Sequence, residues 1–91
     1  MFNKLKQLKD LRSQAKVMQN ALAGEIITVE KGGVKIVMNG NMEVTSLEIN
    51  QDIDESALSK LMQECINDII RKTQKVMAQK MQEIGGFPGL N

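Results

Sequence analysis

Residues 25–50 constrain the fold of this chain more than any other segment, because they have the pattern of three short β-strands joined by two tight turns. Lys-Gly-Gly at 31–33 marks the first turn, and Asn-Gly-Asn at 39–41 marks the second. Asn-Gly between segments of alternating apolar residues is a strong hairpin signal, because both residues tolerate positive φ. Three strands alone would leave one face and both edges of the sheet open to water, so other elements must cover them.

Apolar residues alternate along the first two strands. Ile27 and Val29 share one face of the first strand. Val34, Ile36 and Met38 share one face of the second strand. Because successive side chains of a strand point to opposite faces, each set is predicted to lie together on one side of the sheet.

The third strand changes its parity partway along. Met42 and Val44 share one face, whereas Leu47 and Ile49 have the opposite parity. A regular strand contradicts one of these two pairs. We therefore predict a β-bulge or a bend at 45–46, where the parity switches.

Helical patterns flank the strands on both sides, over 2–23 and over 55–84. The apolar stripe of the first helix contains Leu8, Leu11, Ala15, Met18 and Leu22. The first half of the second helix is apolar over a wide arc that contains Leu58, Leu61, Met62, Cys65, Ile66, Ile69 and Ile70. We predict that Ile66 and Ile69 are core residues and that Cys65 is a small, buried apolar side chain.

The fold class that follows is α+β. A single domain over 1–84 has the order α-β-β-β-α, with an antiparallel three-stranded sheet flanked by two long helices. A helix over 55–84 spans about 45 Å and a strand of this kind about 25 Å, so the second half of the last helix projects past the sheet. The first helix is predicted to lie beside that half, and the Gly- and Pro-rich tail at 85–91 is predicted to be flexible.

The composition favours a homodimer. The 91 residues include two Phe and neither Trp nor Tyr, and seven Met supply part of the core. Met specifies a packing less sharply than aromatic residues do, and a small core favours stabilisation by oligomerisation. Together with the open sheet and the overlong last helix, this predicts a dimer with projecting helices.

Residue types and spacings also argue against several classes of function. The chain has no His, which excludes His-based metal sites and His acid–base catalysis, and its one Cys cannot form an intramolecular disulfide. Its Gly pairs lack the spacing of the phosphate-binding glycine motifs. No apolar run is long enough for a membrane span, and no signal peptide opens the chain. We expect a cytoplasmic protein that is not an enzyme and has no metal, cofactor or small-molecule substrate.

Charge is distributed unevenly along the chain, although the net charge is only +1. Residues 1–23 carry five cations and one carboxylate, whereas residues 24–54 carry two lysines and six carboxylates. The helices therefore hold the positive charge and the sheet is acidic. Such segregation is informative about binding partners.

A local basic cluster lies on the last helix. Arg71 and Lys75 share a helix face at a spacing of four, and Lys72 lies beside them. Lys80 follows further along the same helix. This pattern is compatible with a solvated helix face and with a surface that binds anions.

Several segments, in their order and spacing, match one known family. They are Met1-Phe2 before a Lys- and Gln-rich helix, Met18-Gln19 and Ala21-Leu22-Ala23 near its end, Gly-Val-Lys-Ile-Val-Met-Asn-Gly at 33–40, Leu47-Glu48-Ile49, Asn67-Asp68, Lys72 with Gln74-Lys75, and the Gly/Pro tail. In these segments the chain resembles the YbaB/EbfC family of bacterial nucleoid-associated proteins over nearly its whole length.

The resemblance implies the α-β-β-β-α fold, a homodimer whose helices project like tweezers, and binding of duplex DNA with little sequence preference in the nucleoid. It also implies that basic helix surfaces contact the DNA. The candidate DNA-binding residues are Lys4, Lys6, Lys9, Arg12, Lys16, Arg71, Lys72, Lys75 and Lys80.

The third strand departs from the family pattern. Family members often have basic residues there, where this chain has Glu43, Thr45 and Ser46. This departure keeps an alternative open, in which the protein is a dimeric adaptor whose projecting helices grip a protein partner instead of DNA.

Overall fold

A computed structural model describes residues 2–84, with side chains from residue 6 onward. The elements are helix α1 (Phe2–Ala23), strands β1 (Ile26–Lys31), β2 (Val34–Asn39) and β3 (Val44–Ile49), and helix α2 (Glu55–Glu83). The strands form one antiparallel sheet in the order β1-β2-β3, which confirms the predicted fold class. The tail at 85–91, and with it the prediction that it is flexible, lies outside the described residues.

The core lies between one face of the sheet and helix α2. Ile27 pairs with Met38 and Val29 pairs with Ile36 across the first two strands, and all four are buried, as the alternation predicted. Three residues of α2 cover them at helical spacing, namely Cys65, Ile69 and Thr73, each with no exposed surface. The burial of Cys65 also confirms its predicted role as a small core side chain.

Strand β3 contains the predicted bulge. Val37 pairs with Ser46, but the next residue, Met38, pairs with Val44, so Thr45 is the extra residue. The Thr45 hydroxyl donates a hydrogen bond to the Val37 carbonyl at 3.3 Å. The bulge reconciles the two parities, because it turns Val44, Leu47 and Ile49 to the same face of the sheet as the β2 core residues.

That face of β3 is nevertheless uncovered, because α2 packs on β1 and β2. Val44, Leu47 and Ile49 keep 57%, 48% and 44% of their surface exposed. Ile66 lies on the flank of α2 and is 42% exposed, whereas Ile69 has no exposed surface. The prediction that Ile69 is a core residue is therefore confirmed. The prediction that Ile66 is a core residue is wrong, because Ile66 is exposed in the chain as described.

The two turns differ in why they contain glycine. Gly32 and Gly33 have φ of 56° and 94°, the left-handed conformations that a tight hairpin requires. In the second turn the positive φ of 63° falls at Met42 and not at the Asn-Gly pair that suggested it. Gly40 is instead needed for close packing, because its amide donates a 2.8 Å hydrogen bond to the Leu22 carbonyl of α1.

Helix α1 contacts the rest of the chain mainly through its last turns. Met18 and Leu22 are buried, whereas Leu8 and Leu11 are exposed, so only the C-terminal part of the predicted apolar stripe is covered. The described chain is 61 Å long, while α2 spans about 44 Å at 1.5 Å per residue. The first half of α1 therefore projects beyond both the sheet and the end of α2.

We expect Gly40→Ala to destabilise the fold. A Cβ at this position would lie 2.6 Å from the Leu22 carbonyl oxygen and 3.0 Å from its Cα, so the α1 backbone would have to shift. Such overpacking costs about 1–3 kcal/mol, which thermal unfolding can measure. Gly24→Ala is the matched control, since its Cβ would meet nothing closer than 3.7 Å. Equal unfolding midpoints for the two variants would contradict this account.

Candidate nucleic-acid interface

Helix α1 presents a row of cations to solvent. Lys9, Arg12 and Lys16 follow one another at spacings of three and four, so they share one helix face, and all three are exposed. Lys6 is exposed as well, one turn before Lys9. The side chain of Lys4 lies outside the described side chains. This row lies opposite the buried stripe that holds α1 against the rest of the chain.

Helix α2 presents a second set of cations over the sheet. Arg71, Lys72 and Lys75 are all exposed, as the pattern of the last helix predicted. Arg71 and Lys72 lie near Asp68, which also contacts Lys31 at the end of β1. Of the three, Lys75 makes no salt bridge with any side chain between residues 6 and 84.

One carboxylate lies among these cations. Asp68 has an oxygen 3.7 Å from Arg71 Nη2 and another 3.6 Å from Lys72 Nζ. The second oxygen is also 3.8 Å from Nζ of Lys31, at the end of β1. We call Lys31, Asp68, Arg71 and Lys72 the Asp68 cluster.

Sequence reasoning missed two members of the Asp68 cluster, Lys31 and Asp68. The helical spacing of Asp68 to the two cations that follow it was a signal that could have identified the carboxylate. The position of Lys31 has no such local signal, because it depends on how α2 packs across β1.

Lys80, a candidate DNA-binding residue, forms ion pairs within the chain. Its Nζ donates a hydrogen bond to Glu25 Oε1 at 3.0 Å and lies 3.5 Å from Glu83 Oε2. The hydrogen bond and the charge of Glu25, with a smaller contribution from Glu83, raise the Lys80 pKa above its ordinary value of 10.5. Lys80 therefore ties the second half of α2 to the junction between α1 and β1.

The two cation sets are not brought together on one compact patch. The ion pair between Glu25 and Lys80 marks where α1 and α2 meet. Lys16 lies nine residues before Glu25 and Lys72 lies eight residues before Lys80, in opposite directions along the molecule. At 1.5 Å per helical residue the sets are about 25 Å apart along the long axis. On the same arithmetic the row from Lys6 to Lys72 extends over about 40 Å, which is longer than one turn of B-DNA, about 34 Å.

The outer face of the sheet carries mainly acidic charge. Lys35 pairs across the strands with Glu30 on one side and with Glu48 on the other. This face has two carboxylates around one cation, so it is poorly suited to lie against a phosphate backbone.

Metal chemistry and membrane spanning find no support in the described part of the chain. Among residues 2–84 no three Cys, Asp or Glu side chains are grouped so as to hold a metal ion. Neither α1 nor α2 is both long enough and apolar enough to cross a membrane.

A small sheet with an acidic outer face and two helices that carry exposed cations are typical of a nucleic-acid-binding α+β protein. The model of the YbaB/EbfC DNA-binding family matches residues 1–87, and the chain belongs to this family. The resemblance that the sequence segments indicated is thereby confirmed. The family is defined by DNA binding and is not an enzyme family.

Curated relatives and a solved structure agree with this assignment. The chain is 35% identical over 98 aligned positions to a nucleoid-associated protein of Syntrophobacter fumaroxidans, covering 98% of this chain and 89% of that protein. A nucleoid-associated protein of Aliarcobacter butzleri is 36% identical and covers 88% of this chain and 83% of its own length. The crystal structure of an uncharacterized Helicobacter pylori protein has the same fold, with a TM-score of 0.67, 18% identity, and coverage of 80% and 92% of the two chains.

We expect the Lys80→Met change to reveal the contribution of the ion pair through its pH dependence. Because the folded pKa of Lys80 lies above 10.5, the stabilisation is complete below that pH and is lost as the pH rises through the folded pKa. The gap in unfolding midpoint between wild type and Lys80→Met should therefore shrink at strongly alkaline pH. Lys60→Met is the matched control, because it removes a lysine from an exposed position of α2 that makes no salt bridge among side chains 6–84. If the difference in unfolding midpoint between wild type and Lys80→Met stays constant with pH, the effect of the change comes from packing and not from the ion pair.

Proposed function

We propose that this protein is a nucleoid-associated protein that binds duplex DNA through its phosphates, with little dependence on base sequence, as a homodimer. The observation that carries the proposal is the set of exposed cations on both helices, in a chain that belongs to a DNA-binding family. The curated relatives are named nucleoid-associated proteins, which supports a location in the cytoplasm, on the nucleoid.

The side chains available for contact favour sequence-tolerant binding. Between residues 6 and 84 the sequence contains no aromatic residue that could stack on bases. Seven of the nine candidate residues are Lys, a point charge that reads the donor and acceptor pattern of a base pair poorly. Contacts to phosphates fix the position of a protein on DNA but carry no base information.

The uncovered face of β3 supports a homodimer. Val44, Leu47 and Ile49 expose about half of their surface each, on the side of the sheet that is the core elsewhere. Ile66 of α2 is a further exposed aliphatic side chain. A strip of aliphatic side chains that continues a core is a surface on which a second copy of the chain can be buried.

The proposed dimer face and the proposed DNA face lie on different sides of α2. Two residues that are two positions apart on a helix point about 200° away from each other, so Ile66 and Asp68 point in nearly opposite directions. The same holds for Ile70 and Lys72. Dimerisation through β3 therefore leaves the cations of α2 accessible to DNA.

The alternative of a protein-gripping adaptor has less support. It draws on the same projecting helices, but the family match points to DNA. The acidic outer face of the sheet also restricts DNA to the helices, since it repels phosphates.

We expect the Leu47→Lys change to dissociate the dimer, because it places a charge in the middle of the aliphatic strip. Sedimentation equilibrium at micromolar concentration should give twice the chain mass for wild type and less for Leu47→Lys. Ile26→Lys is the matched control, since Ile26 is exposed on the outer face of the opposite edge strand. A folded wild-type monomer, or dissociation by both changes, would rule out this interface.

We expect the affinity for duplex DNA to fall steeply with salt. If a dimer neutralises about six phosphates, the slope of log affinity against log salt is near −5. Arg71→Ala with Lys75→Ala should flatten that slope and weaken binding to different sequences about equally.

The control compares single changes that each remove one positive charge. Lys75→Ala should weaken binding, whereas Lys35→Ala, on the acidic outer face of the sheet, should have little effect. Fluorescence anisotropy with labelled duplexes of different sequence measures both. Absence of binding at low salt, or binding indifferent to Arg71 and Lys75, would refute phosphate binding by α2.

A further inference from the structure

We propose that the three cations of the Asp68 cluster form one binding site for a DNA phosphate, and that Asp68 competes with that phosphate for them. This inference rests on the proposed DNA-binding function. It adds Lys31 to the DNA-binding residues and gives Asp68 a role of its own, which is to limit the affinity.

The geometry shows one carboxylate shared among three cations. The nitrogen–oxygen distances from Asp68 to the three cations are 3.6, 3.7 and 3.8 Å. Charge-assisted hydrogen bonds of a guanidinium or ammonium to a carboxylate are shorter, about 2.7–2.9 Å. Asp68 therefore attracts each cation without holding any of them in a short hydrogen bond.

The cations come from two elements that the fold brings together. Lys31 lies at the end of β1, and Arg71 and Lys72 lie in the middle of α2. Their charged groups all lie within 3.8 Å of the Asp68 carboxylate, so they are close enough together for one anion to contact all three. A phosphate group, with its several acceptor oxygens, can bind three cations at once.

Burial decides which partner can move. The side chain of Asp68 is 20% exposed, whereas those of Lys31, Arg71 and Lys72 are 41%, 66% and 54% exposed. Long Lys and Arg side chains can swing outward to meet a phosphate, while the short Asp68 side chain stays against the protein. A phosphate approaching from solvent thus reaches the cations before it reaches the carboxylate.

A positioning role for Asp68 would have the opposite effect on affinity. Asp68 could in principle hold the cations ready for DNA, and its removal would then weaken binding. Exposed ion pairs restrain their side chains only weakly. Each of these pairs has one nitrogen–oxygen contact, and its distance is long for an ion pair. The dominant effect of the carboxylate is therefore on charge, since it cancels one of the three positive charges of the site.

The test compares Asp68→Asn with Glu64→Gln in the full chain. Both changes remove one negative charge from α2 with almost no change in shape. Glu64 is exposed and lies one turn before Asp68, and it makes no salt bridge within side chains 6–84. The readout is the affinity for a labelled mixed-sequence DNA duplex at several salt concentrations, with unfolding midpoints measured alongside.

We expect Asp68→Asn to bind the duplex roughly three- to ten-fold more tightly at low salt, because the three cations no longer share a carboxylate. The salt dependence should become steeper by up to about one further phosphate per protomer. Glu64→Gln should change the affinity by less than about two-fold, because its charge is more distant and more strongly screened.

Lys31→Ala tests the membership of Lys31 in the site. It should weaken binding in the wild-type chain and should remove a larger factor in the Asp68→Asn chain, where Lys31 is free to contact a phosphate. Lys35→Ala is the matched control, because it removes a lysine from the neighbouring strand without touching the Asp68 cluster.

The outcomes separate this inference from the function on which it rests. A gain of affinity for Asp68→Asn that exceeds that of Glu64→Gln supports the inference, including the case in which only Asp68→Asn binds detectably. If the wild type binds the duplex and Asp68→Asn binds with equal or lower affinity, the inference is overturned but the proposed DNA binding is not. Absence of binding by both the wild type and Asp68→Asn overturns both.

Discussion

The structure depends on how much of a three-stranded sheet one helix can cover. An α-helix with its side chains is about 10–12 Å in diameter, and neighbouring strands lie about 4.8 Å apart. Helix α2 therefore covers two strands, and Cys65, Ile69 and Thr73 seal the core over β1 and β2. The third strand keeps its apolar face open. Helix α1 does not cover it either, since Val44, Leu47 and Ile49 remain about half exposed in the described chain.

This partial cover gives α2 two different flanks. One flank is apolar, with Ile66 exposed. The flank that faces β1 is charged, with Asp68 and Lys72 near Lys31. Because the flanks are on opposite sides of one helix, the proposed burial of the apolar flank by a second chain does not compete with the proposed phosphate contact on the charged flank.

Some of the cations are paired with carboxylates of the same chain. Lys80 is engaged with Glu25 and Glu83, and three further cations share Asp68. The net charge of +1 is small, but the cations are concentrated on the helices and the carboxylates on the sheet.

The sequence by itself determined the order of the elements, the faces of the strands and the bulge at Thr45, because strand parity and helical periodicity are local properties of the chain. It also located the exposed cations of both helices. Only the tertiary structure decided that Ile69 is buried and Ile66 is not, because both lie in one wide apolar arc whose covered part depends on where the sheet ends. Likewise, Lys31 joins Asp68 only through the packing of α2 across β1, a contact between distant segments that no local pattern encodes.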